Sequence, residues 1–116
     1  GEREALLHLR KMGYTVVARR WRSAKLRGDV DLIGWDGEWL CFVEVKTLTR
    51  RDAMTPAESA VDEEKREMLR KMARAYLRRF PGAAAEKVAV RFDVVSVYLQ
   101  PSGSEFEVYR GAFGWR

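Results

Sequence analysis

The chain has 116 residues, 47% of them apolar and 34% charged, with a net charge of +5. That length suits one domain around one core, and the apolar share excludes wholesale disorder. The single cysteine, Cys41, excludes an internal disulfide, and the single histidine, His8, excludes a His-rich zinc site. No apolar run is long enough to span a membrane, the lone cysteine fits a cytoplasmic address, and a sequence pI of about 9.7 suits a polyanionic partner.

Glu2 to Met12 reads as a helix ended by Gly13, with Ala5, Leu6, Leu9 and Met12 as its apolar stripe. The chain opens inside this helical pattern, as one lacking its natural first residues would. Glu2 shares the inward stripe. Either it serves the helix dipole from the first turn, or it reaches a metal site. His8 reads as a surface residue. Tyr14 to Arg20 is a first strand, rich in β-branched residues. Arg19 to Gly28 follows as a basic loop, in which Arg19, Arg20, Arg22, Lys25 and Arg27 suit phosphate contacts. Trp21 within it is read as folded onto the core rather than stacked on a base.

Val30 to Trp35 and Trp39 to Thr47 are the next strands, and Asp36-Gly37 between them marks an antiparallel hairpin. If Asp36 pairs with Trp39, Asp31 faces Glu44; a tighter turn shifts the register by two. Cys41 reads as a small core residue. Thr55-Pro56-Ala57-Glu58 is a helix-start signal, and the helix is expected to run to about Phe80. Val61, Leu69, Met72, Ala73, Tyr76, Leu77 and Phe80 are its predicted buried stripe. Its acidic start and basic end are accounted for by the helix dipole. Val88 to Leu99 is dense in Val and Phe, as expected of a central strand reached by a right-handed parallel crossover. Pro101 to Ser104 is a turn, and Glu105 to Tyr109 a short strand at an edge. The order α-β-β-β-α-β-β predicts an α/β fold with a mixed β-sheet flanked by helices.

The chemistry concentrates on Asp31 and on Phe42-Val43-Glu44-Val45-Lys46. Phosphodiester cleavage needs an activated water and a neutralised phosphate, and a divalent ion serves both needs. Mg2+, or Mn2+ in its place, takes oxygen ligands and keeps several waters. Asp31 and Glu44 would supply carboxylates and Val45 a backbone carbonyl. Lys46, on the same face as Glu44, would orient or deprotonate the water or stabilise the transition state. The bland alternative is a cross-strand salt bridge among Asp31, Glu44 and Lys46. Paired like charges beside apolar positions are costly unless a cation or Lys joins them, and the setting on consecutive hairpin strands amid core residues favours the site.

These residues resemble the restriction-endonuclease-like superfamily, and more narrowly the YraN-type family of predicted endonucleases related to archaeal Holliday junction resolvases. Gly28-Asp29-Val30-Asp31-Leu32-Ile33 is similar to a family segment read Gly-Glu-Ile-Asp-Leu-Ile, with Asp29 departing conservatively. Phe42-Val43-Glu44-Val45-Lys46-Thr47, Pro56, Ala60-Val61, Lys65, Arg91-Phe92-Asp93-Val94-Val95 and Ala112-Phe113 extend the likeness along nearly the whole chain. The resemblance implies a restriction-endonuclease-like fold and an active-site set of Glu2, Asp31, Glu44 and Lys46. Asp93 also fits the pattern, but a structural ion pair with Arg91 explains it as readily.

The expected function is therefore a metal-dependent endonuclease acting on DNA, with branched or flapped DNA as candidate substrates, in repair or recombination. Cutting both strands of a junction would require a homodimer. The alternatives are a non-catalytic nucleic-acid-binding module on the same fold, and an adaptor whose edge strand near Phe106 to Tyr109 pairs with a partner.

Overall fold

A computed structural model describes residues 1–48 and 61–116. Among these, α1 (Glu2–Lys11), β1 (Thr15–Trp21), β2 (Val30–Asp36), β3 (Trp39–Leu48), α2 (Glu63–Leu77), a short α3 (Ala84–Lys87), β4 (Ala89–Gln100) and β5 (Gly103–Phe113) follow in chain order. The strands form one mixed sheet in the order β1-β2-β3-β4-β5. All pairs are antiparallel except β3 and β4, which run parallel over Trp39↔Ala89 to Leu48↔Tyr98. The mixed α/β sheet flanked by helices, and its parallel crossover, are as expected from the sequence.

Alternation along β3 divides the core. Leu40 and Phe42 point into a cluster with Val61, Leu69, Met72, Ala73 and Tyr76, the apolar side of α2. Cys41 and Val43 point the other way, into a cluster with Ala5, Leu6 and Leu9 of α1. Each helix thus covers one face of the sheet, which is why Phe92 to Val97 on β4 is buried without interruption. Cys41 is fully buried, as read.

The β2–β3 turn is the two-residue loop Gly37-Glu38, with Asp36 paired to Trp39. Gly37 takes a φ of 60°, the left-handed value such a turn demands. At Gly34 the constraint is space: a Cβ there would stand 3.0 Å from the Thr15 carbonyl oxygen, at the bulge where β1 shifts register between Val16 and Ala18.

Several expected boundaries move. The basic segment is not loop throughout: Arg19, Arg20 and Trp21 belong to β1, because Trp21 packs edge-on against Tyr76 at 5.2 Å and carries the ladder to Trp21↔Val30. The Thr55-Pro56-Glu58 signal lies outside the described residues. The described helix starts at Glu63, capped by the Asp62 side chain, which accepts from the Lys65 amide at 2.8 Å. Val61 is buried but precedes the helix, and the helix ends at Leu77 rather than Phe80. The last strand runs 11 residues instead of five, because Val108 and Phe106 pack against α1's cluster and Phe113 against α2's. It is an edge strand, as expected, and His8, read as surface, is half-buried in a stack on its Phe106 at 4.4 Å.

Candidate functional site

The β2–β3 ladder runs from Asp36↔Trp39 to Leu32↔Val43, so the next opposed positions are Asp31 and Glu44. There the pairing changes character. The Val45 amide donates to the Asp31 carboxylate Oδ2 at 2.8 Å, a side chain serving where a backbone carbonyl would in a regular sheet. Val45 is a member of β3, half-buried, with that amide engaged. Glu44 continues the Leu40, Phe42 alternation and so lies on the α2 face of the sheet. It is only 4% exposed, and its Oε2 is buried without a hydrogen-bond partner. A buried carboxylate oxygen lacking a partner costs stability unless something outside the protein satisfies it.

Glu2 completes the acidic group from α1. Burial first, then the Glu44 charge, then hydrogen bonding and repulsion from Glu2 push the Asp31 carboxyl up to about 7, against the Val45 amide that pulls it down. The helical spacing that put Glu2 on the inward stripe therefore brings it to Asp31. Two protein cations hold the outer acids. Arg20 Nε lies 2.6 Å from Glu2 Oε2, and Lys65 Nζ lies 3.4 Å from Glu44 Oε1. Arg20 takes a φ of 46°, a left-handed value unusual for a residue with a side chain.

Lys46 lies one alternation beyond Glu44, half-buried on the same face, and forms no ion pair with the described residues. Beside it on β4 is Ser96, fully buried, its hydroxyl also unpartnered. The two orphaned polar atoms, on Glu44 and Ser96, thus flank Lys46. Ser96 escapes a reading of the sequence, and Lys65 enters it only as a family-like position without its contact to Glu44. Ser96 leaves one signal, a hydroxyl interrupting Val94-Val95-Ser96-Val97. Lys65 sits in a helical turn whose placement on the sheet no local pattern reveals.

The donor set is of the kind a hard divalent cation takes: two carboxylates on adjacent strands, one of them orphaned, with a third nearby. Among the described residues no three Cys, His, Asp or Glu side chains close into a ready metal cage. Glu2 is turned to Arg20 in this arrangement.

The basic residues are spread. Arg20 serves Glu2, and Arg22 stands 3.8 Å from Asp29. Arg19, Lys25 and Arg27 are exposed, with Arg27 lining a cleft against Lys65 and Met68 of α2. Asp93 belongs elsewhere. It is fully buried towards the hairpin end of the sheet, where it accepts from Tyr14 at 2.8 Å, Arg91 Nε at 2.8 Å and the Gly111 amide at 2.9 Å. Arg91 reaches on to Asp36 at 2.7 Å. Asp93 is thus the structural ion pair.

No helix among the described residues is long and apolar enough to cross a membrane. Comparison with known proteins gives a consistent picture. A UPF0102 protein of Solibacter usitatus is 52% identical over 113 residues, covering 97% of this chain and 82% of its own. One of Koribacter versatilis is 49% identical over the same length, covering 97% of this chain and 76% of its own. One of Porphyromonas gingivalis is 40% identical over 104 residues, covering 90% and 72%. The profile of an uncharacterised protein family matches residues 1–97, spanning the acidic group, Lys46, Lys65 and Ser96. The chain belongs to that family, UPF0102, the YraN-type family its motifs resemble.

Proposed function

We propose that this protein is a divalent-metal-dependent endonuclease that hydrolyses DNA phosphodiester bonds on a restriction-endonuclease-like fold. The observation that carries the reading is the buried Glu44 carboxylate, one oxygen orphaned, set against an Asp31 carboxyl raised to about 7. Folding alone does not reward such a pair: two acids of the same sign under partial burial repel, and hydrophobic replacements would be cheaper. A cation arriving from solvent would relieve both.

Asp31 and Glu44 would hold Mg2+ or Mn2+, with Glu2 as a third carboxylate once released from Arg20 and the Val45 carbonyl as a further oxygen. When bound, the ion would activate a water and neutralise a phosphate oxygen. The protein's own groups do the rest. Lys46, free of ion pairs with the described residues and half-buried, would orient or deprotonate the water or stabilise the transition state at the scissile phosphate. The hydroxyl of Ser96, at the adjacent ladder position, can orient Lys46 or the water. Lys65 and Arg20, which pair with Glu44 and Glu2, would be available to the substrate's phosphates once those carboxylates held the ion. The substrate is DNA, branched or flapped, in repair or recombination in the cytoplasm; cleaving both strands of a junction would take a homodimer.

One observation favours a second reading, a nucleic-acid-binding module without catalysis: Arg20 and Lys65 already neutralise Glu2 and Glu44. A single experiment separates the two. The protein and its Glu44→Ala variant are incubated with labelled duplex, single-stranded, flapped and four-way DNA, with magnesium, manganese or chelator. The endonuclease reading expects metal-dependent cutting that falls at least about hundredfold in the variant. Salt-sensitive binding by both proteins, indifferent to chelator and without cutting, would establish the module instead.

A further inference from the structure

Beyond the acidic group, the loop joining β1 and β2 meets the second half of α2 in a cleft of about 370 Å³, lined by Ser23, Lys25, Leu26, Lys71, Arg74 and Arg78. Four of its six lining residues are cations and none is an acid. We infer that this cleft binds the phosphate backbone of the nucleic acid, as a second contact region separate from the metal-binding carboxylates. The inference rests on nucleic acid being the substrate class.

The helix dipole accounts for only half of this cluster, Arg74 and Arg78. Its effect is confined to the last turn, which contains Arg74 and is capped by Arg78. Lys71 stands mid-helix, and Lys25 comes from a different element. Nor do ion pairs within the protein account for it. Lys25, Lys71 and Arg78 form none with the described residues, and Arg74 has only a long contact of 4.0 Å to Glu67 while lying over the Trp115 ring at 5.2 Å. Glu63, Glu64 and Glu67 of α2 line a separate depression with Met68, and Lys71 lines both. Cations converging on a cleft without an acid repel one another, and a polyanion removes that cost.

The placement favours a polymer over a small anion. The same loop and helix also line a first cleft nearer the start of α2, formed by Arg27, Gly28, Lys65 and Met68 together with Asp62 and Glu64. Lys65 touches Glu44 there. From Lys65 to Lys71 the helix rises by about 9 Å, and to Arg78 by about 20 Å. That span matches about six nucleotides of a B-form strand at 3.4 Å each. One phosphate would use a small part of it. A strand whose scissile phosphate sits at Glu44 and Lys46 would pass between the β1–β2 loop and α2 and leave over Lys25, Lys71 and Arg78.

The test is equilibrium binding of a short fluorescein-labelled DNA to the whole protein, in chelator, over a range of salt. Lys71→Ala with Arg78→Ala, both exposed positions, is expected to weaken binding on the order of tenfold per contact at about 0.1 M salt, and to reduce the slope of log affinity against log salt by about two. Lys25→Ala, on the opposite wall and outside the helix, is expected to reduce it by about one, so a fold defect in α2 cannot mimic the result. Arg10→Ala with Lys87→Ala removes the same charge elsewhere and should leave the slope unchanged. Equal losses in both double variants would overturn the inference, as would binding indifferent to Lys25, Lys71 and Arg78. Binding through this cleft, with no cutting once magnesium or manganese replaces the chelator, would sink the endonuclease reading alone. Metal-dependent cutting with binding indifferent to these residues would sink this inference alone.

Discussion

Asp31 is where the competing forces on single residues are clearest. Its carboxyl is half-buried beside Glu44 and Glu2, so its affinity for a proton rises from the ordinary 3.8 to about 7. Between those two values the native state binds more protons than the unfolded chain. Stability therefore falls as pH rises from about 4 to about 7 and levels off above that. Asp31→Asn keeps an acceptor for the Val45 amide while removing the charge. In chelator, its thermal midpoint should vary less over that window, with a gain near pH 7 of about 1 kcal/mol, a figure discounted for solvent screening of a half-buried group. A wild-type midpoint indifferent to pH in that range would refute the crowding of acids at this position. The nearness of Asp31 to Glu44 was legible beforehand, since the side-chain period of two keeps them on one face in either register the Asp36-Gly37 signal allowed; that they stand directly opposed was not, and follows from Asp36 pairing with Trp39. The Lys65 contact was not, because it depends on how a helix is seated on a sheet, and no residue near Lys65 encodes that.

At the scale of elements, β4 does two jobs on two faces. Phe92 and Val94 face α2, while Val95 and Val97 face α1. Asp93 fastens four elements near the hairpin end: the segment before β1 through Tyr14, the β2–β3 turn through Arg91 and Asp36, β4 itself, and β5 through the Gly111 amide. Burial and the Asp93 charge raise the Tyr14 hydroxyl above its usual range, so it stays a donor. Asp93→Ala leaves Arg91, the Tyr14 hydroxyl and the Gly111 amide short of a partner in a buried setting. A loss of about 3–5 kcal/mol in urea unfolding is expected, the cost of breaking a buried pair from one side. A loss under about 1 kcal/mol would mean that water replaces the carboxylate. Cys41 lies in the same core, where burial pushes its thiol up to about 12. It should resist a maleimide at neutral pH until the protein is unfolded. Arg91 and Asp93, two apart on one strand, could be read as a pair from sequence alone. Tyr14 and Gly111 could not, since their part in the network comes from strands distant in the chain. The apolar stripe of α2 was legible from its period, whereas its described start was not: Asp62 resembled one more acid of a dipole-favoured first turn, and its role as cap shows only in its bond to the Lys65 amide.

The whole molecule is closed by a segment that lies outside the family match at residues 1–97. Phe113, at the end of β5, stacks on Phe92 at 4.9 Å, and Trp115 meets the same ring edge-on at 5.1 Å. Over them α2 lays Arg66 and Arg70 against the Phe113 ring at 5.4 and 5.5 Å, and Arg74 against Trp115. Arg70 is only 2% exposed, and its guanidinium donates to the Gly114 carbonyl at 2.8 Å and to Glu63 at 2.7 Å. A guanidinium can be buried here because its flat face meets an aromatic ring while its edge finds oxygen acceptors. This makes α2 a helix held on two sides, by the sheet beneath and by the chain's last residues alongside, and it is the same helix that presents Lys65 to Glu44. Phe113→Ala is expected to cost roughly 3 kcal/mol, the low end for an aromatic removed from a core, since the ring is half-buried. Arg70→Met keeps the volume and loses the bonds to Gly114 and Glu63. If ring and guanidinium act as one fastening, the double variant should cost less than the sum of the two, by about 0.5–2 kcal/mol. Strict additivity would mean that the two side chains stabilise α2 independently. Hydrogen exchange then locates the effect. Loss of the clasp should accelerate exchange along α2 well before it reaches the parallel β3–β4 pair, whose amides are covered by helices on both faces.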